Sequence, residues 1–428
     1  QLTLREGSQV FDAWSAPPVK PLICAHVFNY TNVHRYAAGV DPKIHVQEVG
    51  PYCYRETQSK KNITFNDDGT VTYGDLRRHE FEPKFSNGSK DDILIDLNYI
   101  SRKIVSQILH GMLSYSNTMV TVKAHDLFFG YDDRLVEVGA RLAAFLQKDI
   151  PFKKFGLLMS RAAVTDDTVT VDTGNRDLDK IGMVTEVNGR TKLDVWSDEE
   201  CNRIDGSDGA FFPKSDINET STLYLFHKDL CRRMPFVYDK EVEDGVMAMR
   251  FHASPSVYDT EGTCYCPSSG CAPNGVFDLS PCTGDPALRE PFEGLHPDPQ
   301  KHEFYIDIQR LLGFTLGTVS RLQLNAKIVK PRGLRMLKEF PENIILPIVW
   351  IQVSAQRLPP QLFNFIYHAS VTVIQVQSGL QWFTVVCCLT TALGIALLVR
   401  RIPPTSANKK PPDSKEIQHL NTQLDTDC

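Results

Sequence analysis

Short segments that alternate apolar and polar residues run through most of this chain. They are rich in β-branched and aromatic residues, a pattern typical of antiparallel strands. Residues 62–74 read as strand, turn and strand, with Asp68-Gly69 at the bend. The pattern predicts a large, mostly antiparallel sheet or barrel. Further alternating segments are VTVDTG, GMVTEVNGRTKLDVW, KHEFYIDI, RLQLNAKIV and IILPIVWIQV.

Two stretches have helical spacing instead. In residues 91–113 the apolar positions recur every three or four residues, and residues 135–147 form a second such stretch. We therefore expect a helical insert over about 89–160 inside a β body, which gives an α+β fold class. The spaced positions of the first stretch are Ile93, Leu97, Ile100, Ile104 and Ile108.

A long apolar run lies near the C-terminal end. Residues 380–399 contain no charged side chain, and a helix of this length spans about 30 Å, the thickness of the hydrocarbon core. Arg400 and Arg401 follow at once, and basic residues mark the cytoplasmic side. The predicted divisions are an extracellular or lumenal domain over 1–376, a transmembrane helix over 377–400 and a cytoplasmic tail over 401–428.

The composition limits the function classes. The net charge is −6 and no basic stripe interleaved with aromatics occurs, so nucleic-acid binding is not expected. Four Asn-x-Ser/Thr sequons all fall on the predicted extracytoplasmic side of the membrane, where N-glycosylation occurs. They begin at Asn29, Asn62, Asn87 and Asn218.

Cysteines point to the same compartment. Six of the eleven fall within residues 201–282, and six cysteines allow fifteen pairings that spacing alone does not separate. Cys264 and Cys266 are one residue apart, which is closer than the usual zinc spacing, so disulfides are favoured over zinc. The pairing of Cys24 and Cys53 is left open. The remaining cysteines are Cys387 and Cys388 in the predicted span and Cys428 in the tail.

No stretch of the sequence carries a catalytic motif. The GSDG of residues 206–209 lacks the Gly-x-Ser-x-Gly of a nucleophile elbow, and neither HExxH nor a P-loop occurs. His296 and His302 flank a Pro-rich turn, where structural hydrogen bonds are favoured over metal binding. We expect no enzyme activity, no cofactor and no metal.

Eight strings occur in order along almost the whole chain, ahead of one C-terminal span. They are FDAWSAPP, FNYTN, EVGPYCYRE, LFFGYDD, CNRIDGSDG, GLHPDPQKHEFYIDI, RLQLN and IILPIVW. Taken together, these strings resemble the class B scavenger receptor family. That family includes a fatty-acid translocase, the high-density-lipoprotein receptor and a lysosomal integral membrane protein.

The resemblance implies a β-barrel-like domain with a helical bundle at its membrane-distal apex and a lipid-sized tunnel through its body. It also implies a further span ahead of Gln1. The chain after Cys282 lacks about one strand and turn of the family pattern, and residues 112–119 lack the lysine pair that some relatives carry. The disulfides implied are Cys201–Cys264, Cys231–Cys282 and Cys266–Cys271.

The segment over 146–156 is the sequence's best binding candidate. Cations beside exposed aromatics suit an anionic headgroup above an acyl chain, or an acidic helix on a lipoprotein. The alternative is a solvated helix connection whose two phenylalanines plug the helical bundle. The residues are Lys148, Phe152, Lys153, Lys154 and Phe155.

The function expected is a cell-surface receptor that binds lipids, fatty acids or sterols, lipoproteins or anionic particles and passes lipid through an internal tunnel. Two alternatives stay open: a sorting receptor for a lysosomal enzyme, and a receptor for microbes or apoptotic cells. The tail holds no acidic dileucine signal and no Tyr, so the plasma membrane is favoured over the lysosomal membrane. Homo-oligomer formation is left open.

Overall fold

The computed structural model describes most of the chain. The description covers residues 3–97, 119–132, 154, 156–158, 163–243, 245–258, 264–265, 286–327, 344–355 and 358–401. Its contacts divide into two compact units, Gln1–Tyr367 and His368–Cys428.

Strands dominate the first unit, as the alternating segments predict. They are β1 Leu22–Tyr30, β2 Ile44–Phe65, β3 Thr70–Phe81, β4 Ile93–Leu97, β5 Met119–Lys123, β6 Ala163–Asp172, β7 Val184–Val187, β8 Leu223–His227, β9 Arg232–Glu243, β10 Met247–Ala253, β11 Phe292–Glu293, β12 Tyr305–Ile308, β13 Thr315–Lys327 and β14 Ile345–Ala355.

Twelve of these strands form one nearly closed barrel sheet. The order is β7-β6-β3-β2-β1-β14-β13-β12-β10-β9-β8, with antiparallel neighbours throughout, and β11 pairs in parallel with β2. The separate pair β4-β5 is also antiparallel. This architecture confirms the mostly antiparallel, barrel-like fold that the sequence predicts.

One short segment joins the two edges of the sheet. The backbone N–H of Val184 in β7 donates to the Gly206 carbonyl at 2.9 Å, and the N–H of Ser207 donates to the Tyr224 carbonyl of β8 at 2.8 Å. Gly206 has a φ of +121°, and a Cβ there would lie 2.9 Å from the Phe226 nitrogen. Only glycine therefore allows the close approach that covers both edge strands.

The predicted hairpin is present at β2–β3. The N–H of Asn66 donates to the Thr70 carbonyl at 2.9 Å, and Asp68 Oδ1 accepts from the Thr70 N–H at 3.0 Å. Gly69 provides the positive φ of the turn, +90°. The turn chemistry read from the sequence therefore sets the register of these strands.

Helices are short in the first unit. They are α1 Gln9–Ser15, α2 Val33–Ala37, α3 Ala124–Phe129, α4 Pro299–His302 and α5 Pro360–Tyr367, with 3-10 turns at Leu178–Lys180, Lys214–Asp216, Lys228–Leu230, Pro255–Tyr258 and Pro286–Arg289.

The helix predicted to start near residue 91 is wrong at its N-terminal end. Ile93–Leu97 is strand β4, with Leu94 opposite Val122 of β5. Leu94 is 3% exposed whereas Ile93 is 70% exposed, so the two side chains lie on opposite faces as strand geometry requires. The rest of that stretch, the helix over 135–147 and most of the apex insert lie outside the described residues.

Two apolar clusters fill the first unit. One lies around β1, β2, β14 and α3, and its fully buried large side chains include Tyr30, Tyr54 and Phe128. The other lies around β8, β9, β10 and β12 and includes Phe212, Phe236 and Phe251. Burying one such aromatic side chain stabilises a fold by about 1.5–3 kcal/mol.

The second unit contains the C-terminal apolar helix that the sequence predicts. A π-helical turn at His368–Thr372 leads into α6, Val373–Arg401. Within the described residues, one helix, Pro360–Arg401, is long and apolar enough to cross a membrane, and an 18-residue window within it has a mean hydropathy of 2.2. The Thr384 and Thr391 hydroxyls donate to the Leu380 and Cys387 carbonyls, so these polar groups suit an apolar environment.

Two disulfides lie within the described residues. Cys201 and Cys264 are joined, as the family resemblance implies, with a Cα–Cα distance of 5.6 Å. A second disulfide joins Cys24 and Cys53, directly opposite each other on β1 and β2.

Cys231 has a free thiol in the described structure, and its expected partner Cys282 lies outside the described residues, so the Cys231–Cys282 bridge stays a prediction. Cys231 occupies a left-handed position that ends a 3-10 turn, and its Sγ lies 3.4 Å from the Lys228 carbonyl oxygen. Cys266, Cys271 and Cys282 lie outside the described residues, so the Cys266–Cys271 pairing stays a prediction.

Candidate functional site

A cavity of about 410 Å³ lies within the first unit, on the inner side of the barrel sheet. Small side chains on two neighbouring strands create the space. Thr318 of β13 pairs with Ala355 of β14, and Ser320 pairs with Val353, and all four line the cavity. Ligand pockets in proteins commonly measure about 300–1,000 Å³, so this volume suits a small molecule or part of a lipid.

Apolar groups form most of the remaining wall. Phe304, Ile306 and Phe314 belong to the barrel side, and Leu358 and Leu362 come from the chain at and before α5. Such walls favour apolar over polar ligands, because the apolar surface of a ligand that binds against them is removed from water.

The N-terminal segment covers another side of the cavity. Ser8 caps α1 by accepting a hydrogen bond from the Phe11 N–H at 3.1 Å. The capped helix places Trp14, which is 3% exposed, against the cavity, and Pro17 and Pro18 follow along the wall.

One end of the cavity is charged, and Lys60 of β2 lies at its centre. The Lys60 Nζ donates to the Trp14 carbonyl oxygen at 3.0 Å and lies 4.5 Å from the Trp14 ring centroid and 4.8 Å from that of Tyr73. Among the described residues this carbonyl is its one hydrogen-bond acceptor, and no ion pair joins it to a carboxylate. Burial lowers the pKa of Lys60, although the side chain keeps accessible surface where it lines the cavity.

Asp75 of β3 lies opposite Lys60 in the strand register but is engaged elsewhere. Its Oδ2 accepts from Arg77 Nη2 at 3.1 Å and from Lys228 Nζ at 2.7 Å. Burial opposes ionisation of this carboxyl, and the charges of Arg77 and Lys228 outweigh it and lower the pKa of Asp75. A smaller cavity of about 190 Å³ adjoins this network and shares Tyr73 and Asp75 as lining.

Asp208 also lines the charged end of the cavity. Its Oδ2 accepts from Trp14 Nε1 at 3.0 Å and its Oδ1 accepts from the Ala210 N–H at 2.9 Å. Burial raises the pKa of Asp208. Hydrogen bonds to Trp14 and to the Ala210 N–H thus occupy both oxygens of Asp208 and orient Trp14 and a backbone turn. The GSDG string that contains Asp208 therefore has a structural role.

Comparison with known proteins identifies the family. The chain matches the CD36 family over residues 1–399. It belongs to the CD36 family. Scavenger receptor class B member 1 of Bos taurus is 29% identical over 379 residues, covering 81% of this chain and 73% of that protein. Lysosome membrane protein 2 of Homo sapiens is 29% identical over 391 residues, covering 83% and 78%.

The sequence-predicted binding segment of this CD36-family chain is mostly outside the described residues. Lys148, Phe152, Lys153 and Phe155 fall there. Lys154 is exposed, and its Nζ lies 3.5 Å from Asp132 Oδ2 in an exposed ion pair of the kind that contributes little stability. Four of the five residues therefore lie outside the described residues, and the segment stays a proposal.

The predicted glycosylation sites differ in exposure. Asn62 and Asn87 are exposed, and Asn62 sits at a bulge of β2 with a φ of +51°. Asn29 is partly buried within β1. The partly buried Asn218 accepts hydrogen bonds from the Thr220 hydroxyl at 2.8 Å and from the Ser221 N–H at 2.9 Å.

Potential metal ligands occur once among the described residues. Asp239, His252 and Glu303 place ligand atoms within 4.8 Å of one another. Asp239 is exposed and already lies 3.4 Å from Lys240 Nζ, so we assign no ion to the group. His302, which the sequence left between two roles, is 5% exposed, and its Nδ1 accepts from the Asp298 N–H at 3.1 Å.

Sequence reasoning missed the cavity lysine of this CD36-family chain. Glu56, Gln58 and Lys60 occupy alternate positions of β2 and hence one face, but the intervening residues are polar as well. Hydropathy alone therefore does not reveal which face points into the barrel. No local signal in the sequence therefore marks Lys60 as buried.

Proposed function

We propose that this chain is a membrane-anchored, non-enzymatic receptor that binds lipids or lipid-bearing particles and holds lipid inside its barrel. The observation that carries the proposal is the cavity of about 410 Å³, with walls of small or apolar side chains on β13, β14 and α5. Family membership supports a receptor, because a relative bears the name scavenger receptor class B member 1.

Acyl chains fit this proposal on energetic grounds. Each methylene removed from water contributes about 0.8 kcal/mol, wherever along an apolar wall it lies. A lipid can therefore slide between equivalent positions without any catalytic group. Capture of anionic particles by Lys148, Lys153 and Lys154 is a separate proposal that rests on the sequence.

The test is a lipid extract of the whole protein. The full chain, expressed in secretory cells, is transferred into nanodiscs of one deuterated phospholipid, and unlabelled lipid that stays bound is identified by mass spectrometry. We expect a stoichiometric lipid in the wild type and its loss in Ser320→Trp, which fills the cavity. The control Leu311→Trp changes an exposed residue and should keep the lipid.

A wild-type protein without bound lipid would contradict the proposal, whatever the variants do. Equal lipid content in Ser320→Trp and wild type would also contradict it, because the lipid would then lie outside this cavity.

A further inference from the structure

Phe85 is an exposed aromatic residue that stands two positions before a predicted glycosylation site. It is 48% exposed, and the sequon over residues 87–89 begins at Asn87. We propose that the first N-acetylglucosamine of a glycan on Asn87 packs against the Phe85 ring. The ring is thus a binding site for the protein's own carbohydrate, and it is not part of the cavity wall.

The first step is the direction of the side chains. Ser86, between the two residues, points inward, since its hydroxyl accepts from the Cys53 N–H at 2.9 Å and donates to the Glu82 carbonyl at 3.0 Å. Phe85 and Asn87, on either side of it, are both exposed. Two residues of chain span at most about 7 Å, so the ring and the glycosylated amide lie near each other on the outer surface.

The second step is the order of the loop that carries both residues. The Glu82 N–H donates to the Cys53 carbonyl at 2.8 Å. The Asn87 N–H donates to the Pro51 carbonyl at 2.9 Å, and Cys53 is itself joined to Cys24. These bonds tie both ends of the loop to β2. The fold therefore holds the ring and the amide in place, and contact with the sugar costs little further conformational entropy.

The third step concerns Gly88, the middle residue of the sequon. A Cβ there would lie 2.6 Å from Asp92 Oδ2 and 2.9 Å from the Tyr52 ring, so glycine alone fits without a shift of its neighbours. The chain on the C-terminal side of Asn87 is thus packed closely against these two side chains. On the N-terminal side, Phe85 offers an open apolar surface.

The fourth step is the chemistry of the ring face. The Arg55 guanidinium lies over the Phe85 ring, with its Cζ 5.5 Å from the ring centroid. Arg55 is itself held by Glu82 Oε2 at 3.6 Å and by the Lys20 carbonyl at 3.2 Å. One face of the ring is therefore covered, and the exposed part remains for a ligand. A β-linked N-acetylglucosamine has equatorial hydroxyls and apolar C–H faces, and contact removes both apolar surfaces from water.

Asn62 provides a reference within the same chain. It is also exposed and begins a sequon, but the residue two positions earlier is Lys60, which lines the cavity. Its glycan therefore has no aromatic side chain at the corresponding position. A property that follows from exposure alone should be the same at both sites, whereas a property that needs the Phe85 ring should differ.

The first experiment measures how fast peptide-N-glycosidase F removes each glycan from the folded full chain in nanodiscs. The enzyme cuts the bond between asparagine and the first sugar, which the ring shields. Phe85→Ser should speed release at Asn87 about five-fold, the factor that an aromatic contact of ordinary strength gives, and leave release at Asn62 unchanged. Phe85→Leu, which keeps an apolar side chain, should also speed release, whereas Phe85→Tyr should keep it slow. Glycopeptide mass spectrometry measures both sites in one sample.

The second experiment measures the melting temperature in a double-mutant cycle. The decrease caused by Phe85→Ser should be about 2 °C larger when Asn87 carries its glycan than in the Asn87→Gln background. Trimming with endoglycosidase H, which leaves one sugar on each asparagine, should preserve this difference. The control cycle pairs Phe85→Ser with Asn62→Gln, and its two effects should add.

Three results would each overturn the proposal. One is an unchanged rate of release at Asn87 in folded Phe85→Ser and Phe85→Leu. Another is an equal decrease in melting temperature with and without the Asn87 glycan. The third is a wild-type protein from secretory cells whose Asn87 carries no glycan. Lipid binding in the cavity is measured separately, and none of these results bears on it.

Discussion

Arg250 of β10 and Asp307 of β12 lie directly opposite each other on neighbouring strands and form a bidentate ion pair. Arg250 Nε lies 2.7 Å from Asp307 Oδ1, and Nη2 lies 2.8 Å from Oδ2. The guanidinium also stacks 3.7 Å from the Tyr305 ring centroid. Both partners are mostly buried, so this pair differs from the exposed ion pairs elsewhere on the barrel.

Arg250→Lys should lower the free energy of unfolding by about 1–2 kcal/mol. A lysine keeps the charge but loses the second hydrogen bond and the planar stacking. The control Arg190→Lys alters an exposed pair with Asp194 and should cost less than about 0.5 kcal/mol. Urea titrations followed by tryptophan fluorescence measure both, and equal effects would contradict the special role of Arg250.

Glu48 should give the protein an acid-sensitive contribution to stability. Its Oε1 lies 3.0 Å from His26 Nδ1, and this hydrogen bond lowers the pKa of Glu48 from 4.5 to about 2, against the effect of burial. Because the carboxyl pKa is lower in the folded state, ionised Glu48 contributes to the free energy of unfolding above pH 4.5. That contribution is lost as the pH falls from 4.5 toward 2.

The measurement compares wild type with Glu48→Gln in urea titrations at several pH values. The difference in unfolding free energy should be largest above pH 4.5 and shrink toward pH 2. His26→Gln, which removes the first partner, should flatten the same acid limb. A difference that stays constant over this range would rule out Glu48 as its source.

Removal of the Cys24–Cys53 disulfide should destabilise the barrel. The two cysteines are 29 residues apart, and closing a loop of that length contributes about 3–4 kcal/mol in the chain-entropy account. The double variant Cys24→Ala/Cys53→Ala should lower the free energy of unfolding by that order. Peptide mapping without reduction checks the bond itself, and free thiols at both positions would refute it.

Asn62 and Asn87 should carry N-glycans. Both are exposed, so a bulky glycan meets no packed surface. Asn62→Gln and Asn87→Gln should each increase the gel mobility of the protein by the amount that one glycan accounts for. Enzymatic deglycosylation should abolish the difference from wild type. Asn66→Gln, an exposed asparagine outside any sequon, is the control and should change nothing. An unshifted protein from secretory cells would overturn the predicted extracytoplasmic side.

Replacing Lys148, Lys153 and Lys154 together with Glu should weaken binding of anionic phospholipid vesicles. Exposed charge contacts are each weak, about 0.2–1 kcal/mol, so single changes should matter little. The loss should be larger at low salt than at high salt. A control with the same charge change places Glu at the exposed residues Lys43, Lys84 and Lys90.

Vesicle flotation at two salt concentrations measures the effect. Lipid inside the cavity should be unchanged in both triple variants, because the substitutions leave its walls intact. Undiminished vesicle binding by the first variant, on a folded protein, would show that the anion site lies elsewhere.

Local patterns in the sequence predicted much of the barrel. Alternation located strands such as β12 and β13, and Asp68-Gly69 located the β2–β3 turn. The same approach misassigned Ile93–Leu97, because Ile93 and Leu97 are spaced four apart, which fits one face of a helix and also one face of a strand. Contact with β5 and burial of Leu94 decided between them.

The candidate site depended on contacts that no local pattern contains. Lys60 gave no signal of burial, and the cavity exists because Ser320 and Thr318 stand beside Val353 and Ala355 on a neighbouring strand. The pairing of Cys24 and Cys53 was left open for the same reason, since their bond follows from strand register rather than spacing.

By itself, the sequence determined the properties that local chemistry fixes: strand alternation, turn residues, the apolar C-terminal helix and the strings that mark the family. Tertiary structure alone decided which face of β2 points inward, how Gly206 and Ser207 close the barrel edges, and which side chain lies against the cavity. The physical reason is distance along the chain. Side-chain direction repeats every two residues and is readable locally, whereas burial depends on strands that meet from positions hundreds of residues apart.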